Sequence, residues 1–263
     1  MKSILNGIQL HYEIQGQGLP VVFTHGFPLS HKIWQPQIEA LHDEFCVITP
    51  DLRGHGESEA PTGAYSMEKF ADDLFTLLKH LNCGPVVMAG HSMGGYIAFA
   101  FLRNYPNWVK GLILVSTRAA ADSPEGKAGR ETLAQLVEKE KSSAPVVMKM
   151  LPNMVAQASL AAHPNLRTEV ERIMSNTSQN GLAGALRGMA ARADANDLLT
   201  SLCLPTLIIA GTADALIPHA ESESMARAIP GAQLALIEGA GHLPSLEKPE
   251  EMNRVLREWL RKV

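Results

Sequence analysis

Residues 86–100, VVMAGHSMGGYIAFA, place the hydroxyl of Ser92 between glycines, where one apolar run ends and another begins. A polar group at the tip of a buried strand is costly unless it is used. The chemistry open to it is nucleophilic attack with formation of a covalent intermediate. A serine hydroxyl is a poor nucleophile near neutral pH. It needs a base within reach, and the base needs a third group to orient it. The chain offers ten histidines and 27 acidic residues from which to draw these partners.

The elements that would position such a serine can be read from the hydrophobic pattern. Residues Lys2 to Ile14 read as a hairpin, because Asn6-Gly7 separates two short alternating stretches. Six short apolar runs follow: VVFT (21–24), CVIT (46–49), VVMA (86–89), LILV (112–115), TLIIA (206–210) and LALI (234–237). Continuous runs of this kind suit strands buried on both faces of a parallel sheet. Between Ser66 and Asn82 apolar residues recur at helical spacing, and a last helix is predicted to start at Pro249. Strand and helix in alternation predict an α/β sandwich. One interval breaks the rhythm. From Ala119 to Thr200 there is no strand-like run and no Phe, Tyr or Trp, yet five of the eleven methionines lie there. The predicted organisation is a core of residues 1–118 and 200–263 with a helical cap, 119–199, inserted between two strands.

Gly90-His91-Ser92-Met93-Gly94 matches G-x-S-x-G and resembles the nucleophile elbow of α/β-hydrolases. The strand-to-helix turn is so sharp that side chains two residues either side of the serine would collide. The resemblance runs from about Leu10 to Leu260. It implies the α/β-hydrolase fold, a mostly parallel sheet with helices on both faces, and the chain order serine, acid, histidine. His242, in EGAGHLPSLEKPEEM after LALI, resembles the family's histidine loop. Asp214, in GTADALIP after TLIIA, stands where the family keeps its aspartate. His219 reads as a surface histidine, and Asp122, Asp194 and Asp197 are weaker rivals for the acid. The catalytic residues expected are therefore Ser92, Asp214 and His242. The resemblance also implies an oxyanion hole from the backbone N–H groups of Met93 and of Phe27, the latter in His25-Gly26-Phe27-Pro28. Asp51, Arg53 and His55, in a D-x-R-G-x-G-x-S loop, are expected to brace loops, as are His25 and His91.

Within the family, a serine at position 92 argues against epoxide hydrolases and haloalkane dehalogenases, which use aspartate there. All four tyrosines (Tyr12, Tyr65, Tyr96 and Tyr105) lie outside the cap, which also argues against epoxide opening. Met93 replaces the tryptophan of proline iminopeptidases, and Leu243 the tryptophan of carbon–carbon bond hydrolases. What remains resembles carboxylesterases and the 3-oxoadipate enol-lactonase group, and HGFPLS is similar to cofactor-free perhydrolases. The expected activity is hydrolysis of esters with small to medium acyl chains, suited to a cap of Met, Leu and Ala. Lactone hydrolysis is the alternative, and peracid formation a side activity. A lactonase of this group would need an arginine facing its pocket for a carboxylate. Arg118, Arg130, Arg167, Arg172, Arg187 and Arg192 are available, and most should be solvated helix faces. An alternative of another class is a small-molecule receptor with vestigial hydrolysis.

The bulk properties narrow the partners. A formal net charge of −4 without a basic run argues against nucleic acid and anionic membranes. No apolar run approaches the roughly 20 residues of a spanning helix, and the N-terminal stretch lacks the apolar core of a secretion signal. Cys46, Cys83 and Cys203 form no metal-like pair. The expectation is a cytoplasmic enzyme with a small-molecule substrate, no cofactor and no metal; the oligomeric state is left open.

Overall fold

The computed structural model describes residues 1–263. Eight strands form one sheet: β1 (Lys2–Leu5), β2 (Ile8–Gln15), β3 (Leu19–Thr24), β4 (Phe45–Pro50), β5 (Val86–His91), β6 (Val109–Val115), β7 (Thr206–Gly211) and β8 (Gln233–Ile237). Their order is β1-β2-β4-β3-β5-β6-β7-β8. β2 pairs antiparallel with both β1 and β4, and every other pair is parallel. The β1–β2 turn has Asn6 and Gly7 at φ 47° and 77°, the two positive values a two-residue hairpin needs.

Alternation along the central strands explains why they read as unbroken apolar runs. Leu112 and Leu114 of β6 pack in one core cluster, while Ile113 and Val115 pack in a second on the opposite face. The first cluster takes in α2 (Met67–His80) and α3 (Met93–Asn104); the second takes in α1 (Gln35–Leu41) and, at the C-terminus, Pro249–Leu260. Ser66 caps α2 by accepting a hydrogen bond from the Lys69 N–H at 3.1 Å.

The expectation of burial on both faces fails for LALI. In β8, Leu234 and Leu236 remain 37% and 38% exposed. β8 pairs only with β7 and closes the sheet, so as an edge strand it is covered only in part on that side.

Between β6 and β7 the chain is helical: α4 (Pro124–Glu140), α5 (Ala144–Met150), α6 (Gln157–Ala162), α7 (Leu166–Ser175), α8 (Gln179–Ala191) and α9 (Asn196–Leu199). Leu133 and Leu182 of this stretch join the first core cluster, and Leu166 and Val170 the second. After β7 come α10 (His219–Ala228), α11 (Pro244–Glu247) and α12 (Pro249–Leu260). No helix is long and apolar enough to cross a membrane.

The topology places the candidate residues. β3, β5, β6, β7 and β8 run parallel, so the loops after them gather at one edge of the sheet, where open α/β sheets bind ligands. Phe27 follows β3, Ser92 β5, Arg118 β6, Asp214 β7 and His242 β8.

Candidate active site

Ser92 sits between β5 and α3 with φ 52° and ψ −112°. A non-glycine residue held there stores strain of order 1–3 kcal/mol, which the surroundings must over-determine. The Ser92 N–H donates to the Val115 carbonyl at 2.9 Å, and its carbonyl accepts from Thr117 Oγ1 at 2.7 Å. The flanking glycines work differently from the expected mutual clash of side chains. A methyl at Gly90 would strike the Gly94 carbonyl, while one at Gly94 would strike the carbonyl of Thr24 at the end of β3. The first glycine lets the turn close, and the second lets α3 approach the neighbouring strand.

His242 Nδ1 donates to Asp214 Oδ2 at 2.8 Å, and both side chains are buried. Asp214 Oδ1 accepts from the N–H groups of Leu216 and Ile217 at 2.8 and 2.9 Å. Burial pushes the Asp214 carboxyl up, but the charge and hydrogen bond of His242 and the two amides outweigh it and hold it below its ordinary range. With Nδ1 committed to the carboxylate, His242 has Nε2 left for the cavity it lines together with Ser92. The two make no hydrogen bond to each other, a separation common in hydrolytic sites without substrate.

The histidine loop has a support that the sequence did not reveal. Glu247, 1% exposed, accepts from Gly241 N and Leu243 N at 2.9 and 3.0 Å, one on each side of His242. It also accepts from Ala156 N of the helical insertion at 2.9 Å. The only signal was an acid five residues after His242, among other acids that turn out to be exposed or half-buried.

The Phe27 N–H has no protein acceptor, and Met93 begins α3, where the first amides of a helix lack intrahelical partners. The loop carrying Phe27 passes against Ser92: a Cβ at Gly26 would lie 3.0 Å from Ser92 Cβ. His25 fixes that loop, donating from Nδ1 to the Gly26 carbonyl at 2.9 Å and accepting the Leu52 N–H on Nε2 at 3.0 Å. His91 Nε2 donates to the His242 carbonyl at 2.8 Å. Burial, with repulsion from a neighbouring histidine, lowers both His25 and His91 to about 3. Both are neutral braces.

Residues 20–249 match the alpha/beta hydrolase fold family. The chain belongs to this family. It is 44% identical to a thermophilic esterase from Thermogutta terrifontis, solved with malate bound; the match covers 100% of this chain and 98% of that one, with a TM-score of 0.96. The enol-lactonase from Burkholderia xenovorans LB400 is 26% identical over 99% of this chain and 100% of its own, TM-score 0.91. 3-Oxoadipate enol-lactonase 2 of Acinetobacter baylyi is 26% identical over 95% of this chain and 92% of its own.

Ser92 and His242 open into a cavity beneath the helices between β6 and β7. About 130 Å³ in volume, it is lined by Ser92, His242, Phe27 and Tyr96 from the sheet side and by Arg130, Met150 and Met189 from the helices, with Arg118 between them. An outer chamber of about 340 Å³ shares Arg118, Arg130 and Met150 with it. The other candidates lie elsewhere. His219 is 41% exposed beside Glu223, Asp197 pairs with Arg103, and Asp194 caps the Asn196 amide. Asp122 is bound by arginines and does not touch His242. Arg187 pairs with Glu131 and Glu138, while Arg167 and Arg172 are exposed.

Asp51 forms a second histidine–carboxylate cluster. Oδ2 accepts from His11 Nδ1 and Glu57 N, both at 2.9 Å, and Oδ1 from His31 Nδ1 and His31 N, both at 2.8 Å. Burial pushes this carboxyl up, and the two histidines overcome that and hold it well below its usual range. The three side chains converge closely enough to suggest a cation cage, but both Nδ1 atoms already donate to the carboxylate. Arg53 binds Asp73 at 2.6 and 2.8 Å, and His55 Nδ1 donates to the Arg53 carbonyl at 3.0 Å.

Proposed function

We propose that this chain is a serine hydrolase of carboxylic esters with small to medium acyl chains, acting through an acyl-enzyme on Ser92. The observation that carries this reading is the buried His242–Asp214 pair, whose histidine lines one cavity with a serine on a strained turn. His242 Nε2 takes the Ser92 proton as Oγ attacks the acyl carbon, and Asp214 stabilises the imidazolium so formed. The N–H groups of Phe27 and Met93 receive the oxyanion, each worth about 2.7–4 kcal/mol in the transition state. The alcohol departs with the proton from His242; water then attacks the acyl-enzyme, and the acid leaves as Ser92 regains its proton. The small inner cavity, below the roughly 300 Å³ of ordinary ligand pockets, supports short substrates. The likeness to enol-lactonases supports lactones as second substrates, opened by the same steps with the leaving oxygen still tethered. In this proposal residues 119–199 form the cap over the site.

The test is initial rates on p-nitrophenyl esters from acetate to decanoate, with Ser92→Ala as control. Rates should peak at short or medium length and fall by about 10⁴-fold or more in the variant. A folded variant that keeps the wild-type rate would remove Ser92 from the mechanism.

A further inference from the structure

Three arginines converge on one buried carboxylate beside the cavity. Arg118 Nη2 donates to Asp122 Oδ1 at 2.6 Å, Arg130 Nε donates to Oδ2, and Arg192 reaches both oxygens at 3.0 and 2.9 Å. Asp122 is 3% exposed at the side chain, and its arginine contacts outweigh the cost of burial, so it stays ionised. One negative charge against three leaves a surplus of two, which is expensive to hold in a partly desolvated site.

The three cations are not equivalent. Arg192 is itself buried, stacks on the Tyr96 ring at 4.1 Å and donates to the carbonyls of Met189 and Ala120. It is the structural partner of Asp122. Arg118 and Arg130 line the cavity with Ser92 and His242, and no acidic side chain lines it with them. Their donors are underused. Arg118 Nε is buried without a partner and its Nη1 has no acceptor; Arg130 Nη1 meets only the Met189 sulfur at 3.4 Å, and its Nη2 meets none. Glu125 in the outer chamber and Glu221, whose charge acts on Arg118, make no hydrogen bond to these donors. Unused guanidinium donors beside a reacting centre fit one ligand chemistry, a planar carboxylate taken by charge-assisted hydrogen bonds.

We propose that Arg118 and Arg130 form a carboxylate subsite, so that the preferred substrates are anionic esters such as half-esters of short dicarboxylic acids. This rests on the ester-hydrolase reading of the same cavity. Ser92 Oγ displaces the alcohol from the ester carbonyl and water then cleaves the acyl-enzyme, so the products are the alcohol and the dicarboxylic acid, whose first carboxylate has stayed on the arginines throughout. The subsite binds substrate and transition state alike, so its effect falls on KM.

The experiment compares monoethyl succinate and monoethyl glutarate with ethyl butanoate and ethyl pentanoate, following proton release. The half-esters should show kcat/KM at least tenfold higher, mainly through KM. That advantage should shrink in 0.5 M NaCl, because screening weakens charge recognition. Arg118→Gln and Arg130→Gln should each drive the half-ester to neutral-ester ratio towards one, and Arg118→Lys, keeping charge without the fork, should retain part of it. Equal rates on both ester classes, or a preference indifferent to salt and to both Gln substitutions, would overturn the subsite while leaving an esterase. Turnover of neither class would reject the esterase itself. Should a Gln variant melt early, the salt dependence of the wild-type protein decides alone.

Discussion

Two places in this molecule pair histidine with a buried aspartate, and they are alike in bond length and burial. At Asp214, one histidine donates through Nδ1 at 2.8 Å; at Asp51, two histidines do so at 2.8 and 2.9 Å. They differ in what the histidine can still do. His242 has its second nitrogen on a cavity shared with Ser92. His31 turns its own towards Glu13 at 3.5 Å, and the serine that lines a cavity with it, Ser30, sits on ordinary extended backbone. Asp51 is also the more heavily loaded, with four donors spread over both oxygens against three at Asp214. A histidine–aspartate pair is therefore not a catalytic signature by itself; what sets the Asp214 pair apart is that its histidine shares a cavity with a serine held on a strained strand-to-helix turn.

That contrast can be broken most directly by the same substitution at both places. Asp214→Asn should leave the fold nearly intact and lower kcat by about 10⁴-fold, because the amide no longer enforces the histidine tautomer or supports its charge. Asp51→Asn should do the opposite, costing about 3–5 kcal/mol of stability as a buried charge pair is broken while kcat of the surviving folded protein changes little. Kinetics and urea melts on the two variants decide it. A large loss of kcat in folded Asp51→Asn would join the second cluster to the reaction.

Acid should separate the two regions as well. His25 and His91, beside Ser92, are lowered to about 3, and His55 to about 4, chiefly by burial. Their folded values lie below the unfolded value of about 6.5, so the unfolded chain takes up the protons first. The stability they support is complete above pH 6.5 and is lost as pH falls towards 4. Each contributes up to about 1.4 kcal/mol per pH unit in that window. His31 in the Asp51 cluster is raised despite burial, by its bond to Asp51; its contribution is fully present below pH 6.5 and fades above that as pH passes its folded value. The depressed carboxyls of Asp51 and Asp214 matter only below about pH 4. Urea melts between pH 7.5 and 4.5 should therefore show stability falling with uptake of up to three protons, reduced by one in His55→Asn. Constant stability down to pH 4.5 would refute this account.

The same two regions mark what the sequence could tell. Ser92, His242 and Asp214 could be singled out as candidates because each sits just after an apolar strand run, in a short motif that contains glycine. Gly90 and Gly94 are glycine because carbonyls of Gly94 and Thr24 occupy the space a side chain would take. The Asp51 loop was recognisable as a brace, but its partners His11 and His31 come from a separate strand and a short helical turn, with no spacing to announce them. Arg118 and Arg130 stood among six equivalent arginines until the fold brought two of them to the cavity. LALI looked like its neighbours because edge position is a property of the sheet, not of the run.

Glu247 is the subtlest case and gives the smallest effect. Its carboxylate accepts three backbone amides, on both sides of His242 and from Ala156 of the helical insertion. A carboxylate can only accept, so it suits three converging N–H groups; an amide of the same shape would turn its own N–H₂ against at least one of them. Glu247→Gln should cost about 1–3 kcal/mol, the range for a buried donor left unsatisfied. Because the loop carries His242, part of that should appear as a fall in kcat of about tenfold with KM almost unchanged. Glu247→Asp, which keeps the charge but shortens the reach, should recover only part of it. If Glu247→Gln lowers the melting temperature and leaves kcat untouched, the carboxylate holds the loop in the fold without setting the histidine, and the Asp214 pair alone orients the base.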